Sequence, residues 1–392
     1  MNEWKETRLK NLLAIPLSYG LNVSSEDDRE DWPRYIRITD FDDYDHLSDE
    51  TFKSLPMSIA EPALLKDGDL LFARSGATAG KTFLYSSLPN GACYAGYLIR
   101  ARFRKNLANP RFVSYFTKGV DYYNWKNRFC IQTTIQNISA DKYNQLPISI
   151  PSLPEQQRIV DYLDEKLAKI DGRIEVLEKQ QDAYARLKKS VIHQAVTRGL
   201  NPDVRLKDSV VEWIGMIPEH WRSLHLKHCV TINNGCDYKH LETESGIPVI
   251  GSGGQFAFVS EAMYTGEALL LGRKGTIDKP MYFNGSFWAV DTMFYATTNK
   301  NVNTKFIYYC ATTFPFNKIS TATALPSMTQ TDLYQLPVML PPLSEQQAIA
   351  CYLDEKCAKI DAAIENIGKQ IDASKRLKRA LINEVITGQR AV

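Results

Sequence analysis

No run of 18 consecutive apolar residues occurs in the 392-residue chain, so the sequence offers no membrane-spanning segment. The seven cysteines (93, 130, 229, 236, 310, 351 and 357) contain no Cys-x-x-Cys pair and no even framework, which argues against a disulfide scaffold and for a reducing compartment. Neither sign of charge is in excess. Lys+Arg 47 against Asp+Glu 45 leaves +2, so a nucleic-acid surface has to come from clustered basic residues rather than from total charge. The opening MNEWKETRLKNLLAIPL mixes acids and bases before a short apolar stretch broken by Pro16, unlike a secretory signal, and the cytoplasm is the expected location. What is there, 44% apolar residues with 21 Gly and 18 Pro, is an ordinary globular composition long enough for two or three domains.

The chain contains a duplication. LPISIPSLPEQQRIVDYLDEKLAKIDGRIE begins at 146 and LPVMLPPLSEQQAIACYLDEKCAKIDAAIE at 336, and about half the positions stay identical without a gap as far as Gly199 and Gln389. Each copy predicts one long helix of roughly 40 residues, about 60 Å at 1.5 Å per residue. Ser152 followed by Glu155 reads as a capping box with Pro154 in the first turn, and Gly199 and Gly388 mark the ends. Apolar residues recur at Leu163, Leu167, Ile170, Ile174, Leu177, Tyr184, Leu187 and Val191, with one gap at Gln181. The second copy has Leu353, Cys357, Ile360, Ile364, Ile367, Ile371, Leu377 and Leu381. This is coiled-coil spacing, and antiparallel pairing of the two helices is the economical way to bury both seams.

The segments before the helices repeat more weakly. EWKETRLKNL at 3 matches HWRSLHLKHC at 220, and DGDLLFARSGATAGKTFLY at 67 matches TGEALLLGRKGTIDKPMYF at 265, which aligns Arg74-Ser75-Gly76 with Arg273-Lys274-Gly275. Short β-branched and aromatic runs bounded by Gly, Pro and Asn predict compact α+β globules in the order globule, helix, globule, helix.

Three chemistries are weighed against this layout. SGATAGKT at 75–82 misses the phosphate loop, because Ser75 stands where its first glycine must be and no helix pattern follows. Asp203, Asp237 and Lys239 imitate the acidic pair and lysine of a metal-dependent nuclease, but Asp203 lies in a linker. His225, His228, Cys229, Cys236 and His240 fit no standard zinc spacing and have no counterpart in the first globule. What both globules do offer is polar and basic residues among aromatics: DYYNWKNRFCIQTTIQNIS at 121 and NKISTATALPSMTQ at 317 each lead into a long helix. These side-chain types reach phosphates and base edges.

Over its whole length the chain resembles the specificity subunit of type I restriction-modification systems. The resemblance rests on the duplicated Leu-Pro-x-x-x-Pro-x-Leu-x-Glu-Gln-Gln lead-in and on KDSVVEWIGMIPEHW at 207–221. It implies an α+β fold: two α/β-type target recognition domains separated by two long helices that form an antiparallel coiled coil, with a pseudo-two-fold internal repeat. The boundaries are 1–150 and 200–340 for the recognition domains, the second with its linker, and 151–199 and 341–392 for the helices. The first copy starts almost at once at Trp4, so residues after Gly388 are one way to complete its edge.

The family implies a non-catalytic subunit that binds bipartite double-stranded DNA, holds two DNA methyltransferase subunits and can be joined by restriction subunits. No cofactor is expected on this chain; S-adenosylmethionine belongs to the methyltransferase, ATP and Mg²⁺ to the restriction subunit. Position and chemistry then select DNA-contact residues: Arg74, Ser75, Lys81, Lys126, Arg128, Gln132, Thr133 and Thr134 in the first domain, and Arg273, Lys274, Lys279, Lys318, Thr321, Thr323 and Ser327 in the second. Helix faces outside the seam, with Gln156, Gln157, Arg158, Gln346 and Gln347, are selected for the methyltransferase. The competing expectations are a stand-alone metal-dependent nuclease and a protein-only coiled-coil scaffold.

Overall fold

The computed structural model describes residues 4–24, 27–76, 78–130, 137–320 and 326–392. Two compact units emerge, Met1–Leu177 with Gln370–Val392 and Glu178–Lys369. The division falls inside both long helices, so each unit owns one globule and a stretch of each helix, whereas the sequence reading cut the chain at the helix ends. No helix among the described residues is long and apolar enough to cross a membrane.

In the first unit the strands are β1 (Lys5–Arg8), β2 (Ser18–Tyr19), β3 (Arg34–Ile36), β4 (Leu70–Ala73), β5 (Thr82–Leu84), β6 (Ala92–Tyr94), β7 (Leu98–Ala101) and β8 (Pro147–Ile150). Helices α1 (Pro110–Phe116) and α2 (Val120–Cys130) precede β8, and the long helix α3 (Leu153–Arg198) follows it. β2, β7, β4 and β5 form a four-stranded sheet in that order, and β3 runs parallel to β6. Strand β4, LLFA, is buried on both faces, which explains its unbroken apolar run. Leu70 and Phe72 enter one core with Phe112, Val113 and Leu163, while Leu71 and Ala73 enter a second with Phe83 and Leu98, as the alternation of side chains along a strand demands.

The second unit contains β9 (Leu206–Asp208), β10 (Met216–Pro218), β11 (Arg222–His225), β12 (Val230–Asn234), β13 (Glu242–Thr243), β14 (Ile247–Gly251), β15 (Gly254–Val259), β16 (Tyr264–Gly272), β17 (Met281–Ala289) and β18 (Met293–Thr298). Helix α4 (Thr304–Ala311), β19 (Pro337–Leu340) and the second long helix α5 (Leu343–Ile386) complete the chain. Its sheet is seven-stranded, in the order β12, β18, β16, β17, β14, β15, β13. Leu269 and Leu271 of β16 face one core, Ala268 and Leu270 the other, repeating the two-sided burial of β4. Each globule is closed by pairing its first long-range strand with its last: β1 with β8 (Lys5 opposite Ile150) and β11 with β19 (Arg222 opposite Leu340). That closure delivers the chain directly into α3 or α5.

Within each unit the helix stretches run antiparallel. In the first, Leu163 and Leu167 of α3 share a core with Leu381, Ile382 and Val385 of α5, and the Lys378 ammonium bonds both Asp171 oxygens at 2.6 and 2.8 Å. In the second, Ile192 and Val196 meet Leu353 and Cys357, and Lys188 bonds both Asp361 oxygens at 2.7 and 2.6 Å. Here the seam differs from the expected one. Tyr184, Leu187 and Leu377 are 37%, 48% and 57% exposed, and in α5 the buried line passes from the expected Ile371 through Ser374 and Lys378 back to the expected Leu381. A count restricted to apolar residues slips off the seam where the seam itself turns polar, because the repeat places a lysine of one helix opposite an aspartate of the other.

The two ion pairs sit at equivalent places but differ in burial, 5% exposed for the Lys378 side chain against 32% for Lys188. Asp171→Ala strands a buried ammonium and is expected to destabilise the first unit by about 2–3 kcal/mol, moderated by the Tyr44 ring 3.8 Å from Lys378. Asp361→Ala, at the wetter pair, should cost about 1 kcal/mol or less. Urea unfolding of both variants checks this, and equal losses would show that lysine burial is not what sets the cost.

Candidate nucleic-acid interface

Both globules build a corner around an arginine at the end of a buried strand. After β4, the Arg74 N–H donates to Tyr97 O (2.9 Å), its carbonyl accepts from Ile138 N–H (2.8 Å), and Ser75 bridges Asn137. After β16, the Arg273 N–H donates to Thr292 O (2.8 Å), its carbonyl accepts from Met328 N–H (3.0 Å), and Lys274 bridges Ser327. The backbone therefore reproduces the alignment of Arg74-Ser75-Gly76 with Arg273-Lys274-Gly275. Gly76 and Gly275 both take a left-handed conformation, φ 78° and 82°, which a side chain would strain. The guanidinium of Arg74 lies over the half-exposed Tyr19 ring at 4.9 Å, and that of Arg273 lies 5.7 Å from the Phe294 ring. Such stacking steadies the planar fork; Arg273 Nη1 also donates to Asp291 O (3.4 Å) and the Arg74 Nε is buried, which leaves the remaining in-plane donors for a ligand.

The other selected residues fall into distinct settings. Lys126, on α2, lays its stem against Gly80, and its ammonium stands 5.2 Å from the Tyr123 ring; Arg128, two residues further on, is exposed. Lys81 does not join them: its ammonium bonds Phe41 O and lies over the Phe41 ring. Lys274 and Lys279 are exposed, and Lys318 lies 3.7 Å from Glu212 in an exposed pair of little energetic weight. Gln132, Thr133, Thr134, Thr321 and Thr323 lie outside the described residues.

Beside each corner opens a cleft that sequence reasoning missed. The first, about 630 Å³, is lined by Asn22, Ser24, Arg37, Thr39 and Tyr97 among others. The second, about 640 Å³, is lined by Asp237, Lys239, Ser252, Gln255, Phe256 and Thr292 among others. Each is assembled from loops distant in sequence, so no local motif marks it. The available signal was a pair of glycines: a Cβ on Gly20 would sit 2.1 Å from Tyr94 O, and one on Gly235 2.0 Å from Val290 O, so both positions require a bare backbone.

The Glu-Gln-Gln signature has an inward function. Gln156 is fully buried; its Oε1 accepts from Asn109 N–H (2.8 Å) and its Nε2 donates to Pro151 O (2.9 Å) and Leu107 O (3.2 Å). Gln346 repeats this with Asn303 N–H (2.8 Å), Pro341 O (2.9 Å) and Asn301 O (3.3 Å). A role in holding a partner subunit therefore does not fit Gln156 and Gln346, and the exposed members of that selection are Gln157, Arg158 and Gln347. Glu155 and Glu345 each accept from an indole, Trp4 Nε1 and Trp221 Nε1, both at 3.2 Å. The first glutamate thus serves the tryptophan where a capping-box role was expected. Trp4 also lies beside Gly388, and Trp221 beside Gly199.

The remaining polar clusters do not assemble. Among the described residues no three His, Cys, Asp or Glu side chains gather as a metal site. His225 is bonded to Gln335 O at 2.8 Å, His240 faces the Trp288 ring, and burial pushes the Cys229 thiol up to about 11, far from a thiolate ligand. Asp237 and Lys239 line the second cleft, but Asp203 stands in the turn after α3 with its N–H on Asn201 Oδ1 (3.0 Å). Lys81 of the phosphate-loop near miss is followed by strand β5, not by a helix.

Comparison with known proteins places these features. A family model for the type I restriction modification DNA specificity domain matches residues 1–179 and 218–372. The chain is 22% identical to a putative type I restriction enzyme MjaX specificity subunit of Methanocaldococcus jannaschii, over 99% of this chain and 93% of that one. It is also 22% identical to the type I restriction enzyme StySPI specificity subunit of Salmonella potsdam, over 76% and 69%. Among solved structures, a chain from a study of complex assembly and conformational transition of the type I R-M system superposes with a TM-score of 0.75 at 16% identity, covering 98% of this chain and 97% of that one. The HsdS subunit from Thermoanaerobacter tengcongensis gives 0.53 at 16% identity, covering 99% and 97%.

Proposed function

Because the chain belongs to the type I restriction modification DNA specificity family, we propose that it is the non-catalytic subunit that reads a bipartite double-stranded DNA target, one globule to each half-site. In this reading it holds two DNA methyltransferase subunits through exposed faces of α3 and α5, and restriction subunits join the same assembly in the cytoplasm. S-adenosylmethionine is then bound by the methyltransferase, and ATP and Mg²⁺ by the restriction subunit. The observation that carries the proposal is the recurrence, in both globules, of an arginine corner beside a cleft, with differently composed walls. Two readers on one frame are what a split recognition sequence needs. Phosphate contacts by Lys126, Lys274 and Lys279 would fix register, while Arg74 and Arg273 would reach base edges.

Replacing residues 12–145 by the corresponding globule of a homologue, in a complex with the methyltransferase subunits, tests this. The methylated motif is expected to change in one half and to keep the other half and its modification. A motif altered in both halves, or in neither, would remove the independent-reader model. Cleavage of DNA by the pure chain with Mg²⁺, abolished by Asp237→Ala, would favour the nuclease instead.

A further inference from the structure

Asn22 and Asp237 occupy the same place in the two globules, and main-chain hydrogen bonds establish it without reference to side chains. Gly20 N–H donates to Leu98 O and Gly235 N–H to Met293 O, at 3.3 and 3.0 Å. One residue on, Leu21 N–H donates to Tyr94 O and Cys236 N–H to Ala289 O, at 2.9 and 3.0 Å. Next to these bonds, Ala95 N–H reaches Ile36 O (2.9 Å) and Val290 N–H reaches Ile250 O (3.2 Å). The turns then close identically, Leu98 N–H on Ala95 O and Met293 N–H on Val290 O, both 2.9 Å. Counting outward from these bonds, Asn22 matches Asp237, Gly96 matches Asp291, and Tyr97 matches Thr292. The segments LNVSS and CDYKH share nothing that would align them by sequence.

Both side chains are exposed on the wall of their cleft, next to the turn that the arginine corner holds. They are nearly isosteric and differ in hydrogen bonding: an amide offers a donor and an acceptor, an ionised carboxylate only acceptors. Asn22 rests its Oδ1 against Gly96, where a Cβ would come within 1.8 Å, so the glycine leaves room for the amide. Asp237 shares its cleft with Lys239 and lies beside the corner carrying Arg273 and Lys274, yet among the described residues no cation pairs with its carboxylate. A carboxylate on such a face repels the phosphates that the cations attract, unless it accepts from a donor on the ligand. In the major groove those donors are the exocyclic amines of cytosine and adenine, whereas the adenine edge, amine beside N7, matches an amide.

Building on the DNA-recognition reading above, we propose that Asn22 and Asp237 are the matched base-reading positions of the two globules. Asn22 takes adenine in one half-site; Asp237 takes a base bearing an exocyclic amine in the other.

The test uses the complete complex with its methyltransferase subunits, with motifs read by sequencing of modified bases, for wild type, Asn22→Asp, Asn22→Ala and Asp237→Asn. Each substitution is expected to change one base position in one half-site and to lower methylation of the original motif by about 10- to 100-fold. The other half-site should be untouched, and unfolding midpoints should stay within error because the residues are exposed and two of the changes are isosteric. Wild-type motifs and rates in all three variants would overturn the assignment of these positions while leaving the DNA reading intact. A single substitution that altered both half-sites would overturn it as well. A wild-type complex with no bipartite motif would overturn the reading on which it rests.

Discussion

Gln156→Ala is expected to destabilise the first unit by about 3 kcal/mol, and Gln346→Ala the second by a similar amount. Each glutamine is essentially inaccessible to water and satisfies one backbone N–H and two backbone carbonyls, tying the loop before a short helix (α1 or α4) to the lead-in of a long one (α3 or α5). Truncation leaves one carbonyl (Pro151 or Pro341) in a buried setting and two part-buried groups without that partner, at about 1–3 kcal/mol for each that cannot relax or admit water, and opens a void of an amide's volume. Partial relaxation brings the sum down towards 3. Glutamate is no rescue, since it removes the donor that serves two carbonyls and buries a charge. Gln157→Ala, one residue away and exposed, should change stability by no more than about 0.5 kcal/mol. Urea unfolding with hydrogen exchange to localise the loss in one unit measures this. A loss below about 1 kcal/mol at both positions would mean that the amide bonds contribute little to closing the globules.

The same residues show where sequence is informative and where it misleads. The duplication was legible because 190 residues separate two nearly gapless copies, and helix periodicity located α3 and α5 to within a few residues. The Glu-Gln-Gln signature was legible as a motif but not in its direction: polarity suggests the surface, yet Gln156 and Gln346 are polar because backbone carbonyls and N–H groups in the interior need partners. The seam was legible as far as Leu177. Beyond it in α3, and beyond Ile371 in α5, Lys188 and Lys378 take the line, paired with Asp361 and Asp171, and an apolar count steps onto Leu187 and Leu377 instead. The arginine corners could be aligned because a strand and a left-handed glycine flank them. The clefts could not, since Gly20, Ile36 and Ala95 come from three separate segments and their counterparts Gly235, Ile250 and Val290 share no local pattern with them.

Loss of Arg74 should differ in kind from loss of Lys126. The Arg74 backbone is held by its own hydrogen bonds, its Nε is buried and its guanidinium packs on the Tyr19 ring, so the fork is positioned before any ligand arrives. A fixed fork can bond two acceptors on one guanine, whereas an ammonium such as that of half-buried Lys126 on α2 is a point charge that neutralises a phosphate whatever the sequence. Arg74→Ala is therefore expected to relax the first half-site, with discrimination against a wrong base falling by about 1–3 kcal/mol, and Arg74→Lys should restore general affinity without restoring selectivity. Lys126→Ala should weaken binding to all sequences alike and lower the slope of log K against log salt by about one. Arg273→Ala should repeat the first result in the second half-site alone, because its corner is built by the same backbone bonds. Competition binding by the methyltransferase complex on specific and random duplexes over a salt series separates the two behaviours. Equal losses on both duplexes for Arg74→Ala and Arg273→Ala would make the corners phosphate contacts and leave base reading to the cleft walls.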